Sequence, residues 1–232
     1  MCRSGLLLAI LGGCAIAEPD DLGPDAATGA SETTPSGDPT YAKITLSHSM
    51  STAIEKSASV ACGNRDGSTA ENSWYRVFRL ADSNIGSGLV VSAVMFGVQE
   101  AWGSPEIRIQ LSTYAGDISP WPEVLDPRLL TPLTAMPYTI PDTFSTAPRL
   151  VTVPIRANVP ALSQLVFEIF APTYEGNYRY FYLGGNSAGE TAPTYLRAPS
   201  DLCNTPEPRS TTALGFPTSN LVLAVHGTYS PR

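Results

Sequence analysis

Histidine is nearly missing from this sequence: His48 and His226 are the only two in 232 residues. They stand far apart, each on or near an expected strand, and read as solvated or structurally bonded side chains. Imidazole acid–base chemistry and His-rich metal sites are therefore weakly supported. Charge is scarce too, at 15% Asp, Glu, Lys and Arg, whereas long amphipathic helices need more of those residues. The formal net charge of −7 is concentrated before the folded part, on Glu18, Asp20, Asp21, Asp25, Glu32 and Asp38. From Tyr41 onward 13 basic residues face 15 acidic ones with no basic run, which argues against a nucleic-acid partner. The apolar run from Gly5 to Ala17 is 13 residues long, short of the roughly 20 that cross a bilayer.

What the chain does have is turn formers and alternation. Gly and Pro number 19 and 21, which suits many short strands joined by turns. Leu89 to Val98 is apolar at nearly every position, with Val90, Val94, Phe96 and Val98 opposing Val91, Ala93 and Met95. Its β-branched residues predict a central strand covered on both sides. Glu106 to Thr113 alternates, with Ile107, Ile109, Leu111 and Thr113 on one face and Glu106, Arg108, Gln110 and Ser112 on the other. The two read as an antiparallel pair around a short break, Gln99 to Pro105. Further strands are expected at Ala42–Ser47, Ser57–Cys62, Ser73–Leu80, Leu150–Ala157, Gln164–Phe170, Tyr180–Gly184, Thr194–Arg197 and Asn220–Gly227. Ala115 to Pro148 is dense in proline and reads as irregular, with a brief pairing at Leu129–Thr134. The expected fold is all-β over residues 41–232: an antiparallel two-sheet sandwich, jelly-roll-like.

The first 13 residues read as a secretory signal, with Arg3 ahead of a short apolar core. Leu11-Gly12-Gly13-Cys14 resembles a bacterial lipobox, which implies diacylation of Cys14 and a membrane anchor. Ala15 after the cysteine resembles lipoproteins passed on to the outer membrane. The rival site, Ala15-Ile16-Ala17, would release a soluble secreted protein. Residues 14–40, made of Pro, Gly, Ser, Thr, Ala and acids, form an expected disordered acidic linker that cannot repay the entropy of ordering. With Cys2 lost in the signal and Cys14 acylated, Cys62 and Cys203 remain in an exported chain, where a disulfide is the default.

Candidate chemistry is sparse. Gly185-Asn-Ser187-Ala-Gly189 fits the nucleophile-elbow pattern, and Asp201 and His226 follow in the order of a hydrolase triad. Pro193 and the threonines after Ser187 break the helix an elbow needs, so a Gly-rich turn between strands is the simpler reading. Asn64, Asp66, Ser68 and Glu71 space oxygens as calcium loops do, against the plainer account of an Asp-Gly turn. Tyr174, Asn177, Tyr178, Arg179 and Tyr180, continued by Tyr182 and joined by Trp121 and Tyr114, would make an aromatic platform for stacking sugars, with Asn177 and Arg179 as donors. Alternate aromatics on a strand also serve as half core, half cross-strand pairs. Glu168 has no visible second carboxylate, leaving paired-carboxylate hydrolysis with little support. No cofactor is called for.

Several segments together carry a resemblance. Cys62-Gly63, Glu71 to Leu80, Val91 to Val98, Leu165 to Pro172, Phe181 to Leu196 with Cys203, and Ala213 to Gly227 resemble a β-sandwich module of unknown function found in secreted and surface-anchored bacterial proteins. The resemblance implies an extracytoplasmic accessory domain and carries no catalytic residues. The expected function is a non-catalytic, lipid-anchored envelope module, at the outer membrane or cell surface, that binds a glycan or a protein. The alternatives are a serine hydrolase centred on Ser187 and a purely structural envelope lipoprotein.

Overall fold

Alternation in the sequence becomes strand after strand in the computed structural model, which describes residues 41–231. In chain order these are β1 (Ala42–Ser47), β2 (Asn72–Arg79), β3 (Leu89–Trp102), β4 (Glu106–Tyr114), β5 (Leu130–Thr139), β6 (Arg149–Val159) and β7 (Gln164–Ala171). They continue with β8 (Tyr180–Leu183), β9 (Gly185–Asn186), β10 (Thr194–Ala198), β11 (Thr205–Ser210), β12 (Asn220–Leu221) and β13 (Leu223–Tyr229). Two 3-10 turns, Leu80–Ser83 and Pro127–Leu129, are the only helical elements among the described residues. The signal segment, Cys14 and the acidic linker lie outside the described residues.

The first sheet runs β1-β13-β3-β6, with β8 also paired to β3; the second runs β11-β10-β2-β7-β4-β5; β12 and β9 form a short pair. Four pairings explain this order: β1 with β13, β2 with β7, β3 with β6, and β4 with β5, all antiparallel. First meets last and the middle two meet each other, so the chain is one long ribbon doubled on itself and rolled. That is a jelly roll. The segment β8 to β12 is inserted between β7 and β13, and it extends the second sheet past β2.

The inward faces of the two sheets build one core. In β6 the alternation is complete: Val151, Val153, Ile155, Ala157 and Val159 are buried while Leu150, Thr152, Pro154, Arg156 and Asn158 are exposed. Across from it, Trp74 and Phe78 of β2 and Phe167 and Ile169 of β7 fill the same layer. Each such side chain contributes roughly 1.5–3 kcal/mol by leaving water. Trp74 also donates its indole N–H to the Val60 carbonyl at 2.7 Å, so its polar atom is satisfied inside the core.

Several sequence expectations are corrected. β3 and β4 do not pair; they belong to different sheets. β3 runs on to Trp102, and the positive-φ residues Gly103 and Ser104 then carry the chain across to the other sheet. β3 is central, but its outward face is only partly covered, with Ser92 exposed. The strands covered on both faces include β2 and β7, because Tyr75, Val77 and Val166 on their outward side lie under Ile118 and Leu125 of the proline-rich segment. Ser57–Cys62 is not a strand: Trp74, Gln99 and Asn72 bond its backbone at Val60, Ser59 and Cys62 in place of a ladder. β5 is ten residues long rather than a brief pairing. It and the unexpected β11 tolerate their prolines because each is an edge strand, where a missing N–H leaves no partner unpaired.

Cys62 and Cys203 are bonded, with their Cα atoms 6.1 Å apart and a separation of 141 positions in sequence. The bond ties the irregular stretch ahead of β2 to the turn after β10.

Candidate aromatic site on the first sheet

The stretch 174–182 does not form one platform; the fold divides it. Tyr174 is buried and donates its hydroxyl to the Glu106 carbonyl at 2.6 Å, and burial raises its pKa. Asn177 turns back to donate to the Glu175 carbonyl. Tyr178 sits in a turn at φ 51°, 79% exposed. Arg179 lies over Gly103, where a Cβ would meet the arginine Cγ at 2.8 Å. Tyr114 and Trp121 belong to the separate cluster covering the second sheet. Only Tyr180 and Tyr182 face outward from a strand, since Phe181 and Leu183 between and after them enter the core.

β8 lies against the end of β3, so these two tyrosines meet residues that the sequence reading passed over. Tyr180 is directly opposite Trp102, and Tyr182 is opposite Glu100. The pairing contains a register shift between Val98 and Glu100. Such a bulge flips the alternation, placing Ala101 in the core and sending Glu100 and Trp102 outward. Phe144 completes the cluster, its ring centre 6.0 Å from that of Trp102, while the Tyr180 and Tyr182 rings lie 5.8 Å apart. Trp102 is 45% and Phe144 59% exposed.

Polar groups are set among these rings. The Tyr180 hydroxyl donates to Glu100 Oε1 at 3.2 Å. Asp142 accepts the Ser104 backbone N–H at 2.8 Å. Partial burial, then the Glu100 charge, raises the pKa of both Tyr180 and Tyr182. Exposed rings beside a carboxylate acceptor are the pieces that hold a pyranose: the rings stack on its C–H face, and the acid accepts its hydroxyls. Phe144 was missed because it lies in the proline-dense stretch read as irregular, and Trp102 and Glu100 because little in Gln99–Pro105 signals a bulge. A tryptophan just before a Gly-Ser-Pro turn is the trace it leaves.

The other candidates are dispersed or internally bonded. Asp66 accepts the Ser68 hydroxyl and N–H on one oxygen and the Gly176 N–H on the other, and these bonds, Ser68 first, lower its pKa. Asn64 donates to Ser68, Thr69 and Thr173, and Glu71 pairs with Arg197 at 2.6 Å. Asn64, Asp66 and Ser68 thus bond one another as an Asp-Gly turn, while Glu71 is held by Arg197. Among the described residues no group of three or more His, Cys, Asp or Glu could hold a metal ion. Ser187 donates its N–H and hydroxyl to Glu55, His226 bonds Thr45, and Asp201 borders an open groove of about 640 Å³ with Asn64 and Glu71. No hydrogen bond joins any two of Ser187, Asp201 and His226.

His48 has a role the sequence did not reveal. Its Nε2 lies 3.0 Å from the Val77 carbonyl, so that nitrogen carries the proton and donates, and Nδ1 accepts from the Thr191 hydroxyl at 2.7 Å. The ring stacks on Phe78 and meets Trp121 edge-on. Burial, then the Arg76 charge, lowers its pKa from 6.5 to about 4, against the opposing pull of the Val77 carbonyl and Asp82. Between those values the unfolded chain binds the proton and the folded one does not, so stability falls as pH drops through that window and is independent of this group above it. With partial exposure discounted, the loss is on the order of 2 kcal/mol. Urea midpoints measured from about pH 7 to about pH 4 should fall more steeply for the native protein than for His48→Gln; equal slopes would remove His48 as the cause.

No protein-family model, curated protein or solved structure matches the chain.

Proposed function

We propose that this protein is a non-catalytic envelope module, held to a bacterial membrane through a lipid on Cys14, that binds a glycan on the outward face of its first sheet. The observation that supports this reading is the cluster of exposed Trp102 and Phe144 with half-buried Tyr180 and Tyr182, on the face that also carries Glu100. Large exposed aromatic patches on a folded surface mark binding sites. Trp102, Tyr180 and Tyr182 are seated on paired strands, and Phe144 follows the Thr143–Ala101 bridge, so little ordering entropy is lost when a ligand arrives.

The test is titration of neutral oligosaccharides against the native protein and Trp102→Ala. The substitution is expected to weaken binding at least tenfold, which is about 1.4 kcal/mol. Stability should stay within about 0.5 kcal/mol, because the side chain lies on the surface. Equal affinity for both proteins would defeat the reading.

A further inference from the structure

The middle of the first sheet holds a second arrangement, distinct from the aromatic end. At Ser92 the ladder is interrupted on both sides of β3. The pairing with β6 shifts between Val91 and Ala93, and the pairing with β13 shifts between His226 and Gly227. The strand approaches β13 so closely that a Cβ on Gly227 would lie 2.6 Å from the Val90 carbonyl. Bulges of this kind re-aim side chains and open the sheet locally. Here two shallow concavities result, about 380 and 440 Å³, which share Ser92 and Thr228.

Their polar lining has a single sign of charge. Lys43 and Arg156 stand exposed at the two sides, on β1 and β6, and among the described residues no carboxylate borders either concavity. Neither cation has an ion-pair partner among the described residues, where acidic residues outnumber basic ones. Between them lie the hydroxyls of Thr45, Ser92 and Thr228 and the ring of His226, whose Nδ1 is 2.8 Å from Thr45 Oγ1. From β1 to β6 is three strand spacings, roughly 14 Å, wider than one oxyanion and close to two linked sugar rings. From Ser92 to Trp102 is ten residues of strand, roughly 33 Å, so the two positions on this face are separate.

From this we infer that the Ser92 cleft binds an acidic saccharide, with Lys43 and Arg156 taking its carboxylate or sulfate groups and Thr45, Ser92, Thr228 and His226 its hydroxyls. Cations that hold an anion at two points, with neutral donors between them, suit a sugar acid better than a bare ion. The inference extends the glycan reading to a new position, and the two fail separately.

The test is titration of the native protein with a glucuronate-containing tetrasaccharide and with its neutral glucose counterpart, followed by NMR at the His226 ring protons and the Trp102 indole N–H. The acidic sugar is expected to move the His226 signals and to bind at least tenfold more tightly there than the neutral one. Lys43→Ala/Arg156→Ala should abolish that difference, while Lys56→Ala and Trp102→Ala keep it. His226 signals that respond equally to both sugars, or a response that survives in the double variant, would overturn the inference. Loss of the Trp102 response alone would count against the aromatic site and not against this one.

Discussion

Replacing Arg76 with alanine is expected to cost about 3–5 kcal/mol of stability, among the largest losses any single side chain here could produce. Arg76 is fully buried, on the inward side of β2 between Trp74 and Phe78. Its guanidinium donates to Glu190 at 2.8 Å, to the Ala192 carbonyl at 2.5 Å and to the Leu221 carbonyl at 2.6 Å. Burial lowers its pKa while Glu190 opposes that shift. One arginine thus fastens both the 190–192 stretch and β12 to the core. Removing it leaves the Glu190 carboxylate with only its Thr194 donors and no counter-charge, leaves the Leu221 carbonyl with only Ser49, and strips the donor from the Ala192 carbonyl. In a body of this size the loss corresponds to a melting temperature roughly 10 °C lower. The double replacement Arg76→Met/Glu190→Met should recover at least half of it, since apolar pairs often substitute for buried ion pairs. A single Arg76→Met variant within about 1 kcal/mol of the native protein would show that the pair is dispensable.

The second large effect is expected on breaking the Cys62–Cys203 bond. A loop of 141 residues is long enough that cross-linking it restricts the unfolded chain by roughly 5 kcal/mol in the chain-entropy account, with 2–5 kcal/mol the usual measured range. Cys203 lies on an exposed turn while Cys62 is buried against Ser200. A reductant should therefore reach the bond without global unfolding. Urea denaturation of Cys62→Ser/Cys203→Ser should match that of the reduced native protein and fall below that of the oxidised one. Coincident curves for all three would mean that the bond adds nothing to stability.

The sequence revealed the fold wherever a strand kept strict period two against one core. β6 alternates without a break, and the strand expected over Leu150–Ala157 lies inside the observed Arg149–Val159. The disulfide was readable because Cys62 and Cys203 are the two cysteines of the strand-forming part of the sequence. The candidate site was less readable, for physical reasons. A bulge at Gln99 turns Trp102 from a break residue into the centre of an aromatic cluster, and bulges leave almost no local composition signal. Tyr174 carried the same letter as Tyr180, yet a backbone carbonyl 68 residues away draws its hydroxyl into the core. Prolines hid β11 because edge position, which makes them harmless, is a property of the whole sheet.

The rolled ribbon has one more consequence. Ala42 stands opposite Tyr229 in the ladder, so the body's two chain ends are about 5 Å apart. A few glycines joining them would make a closed loop, and fresh ends could be cut at the exposed corner around Leu162 without disturbing any strand pair. The order in which the strands are synthesised is then separable from the architecture they reach, and a permuted gene should encode the same barrel-like roll.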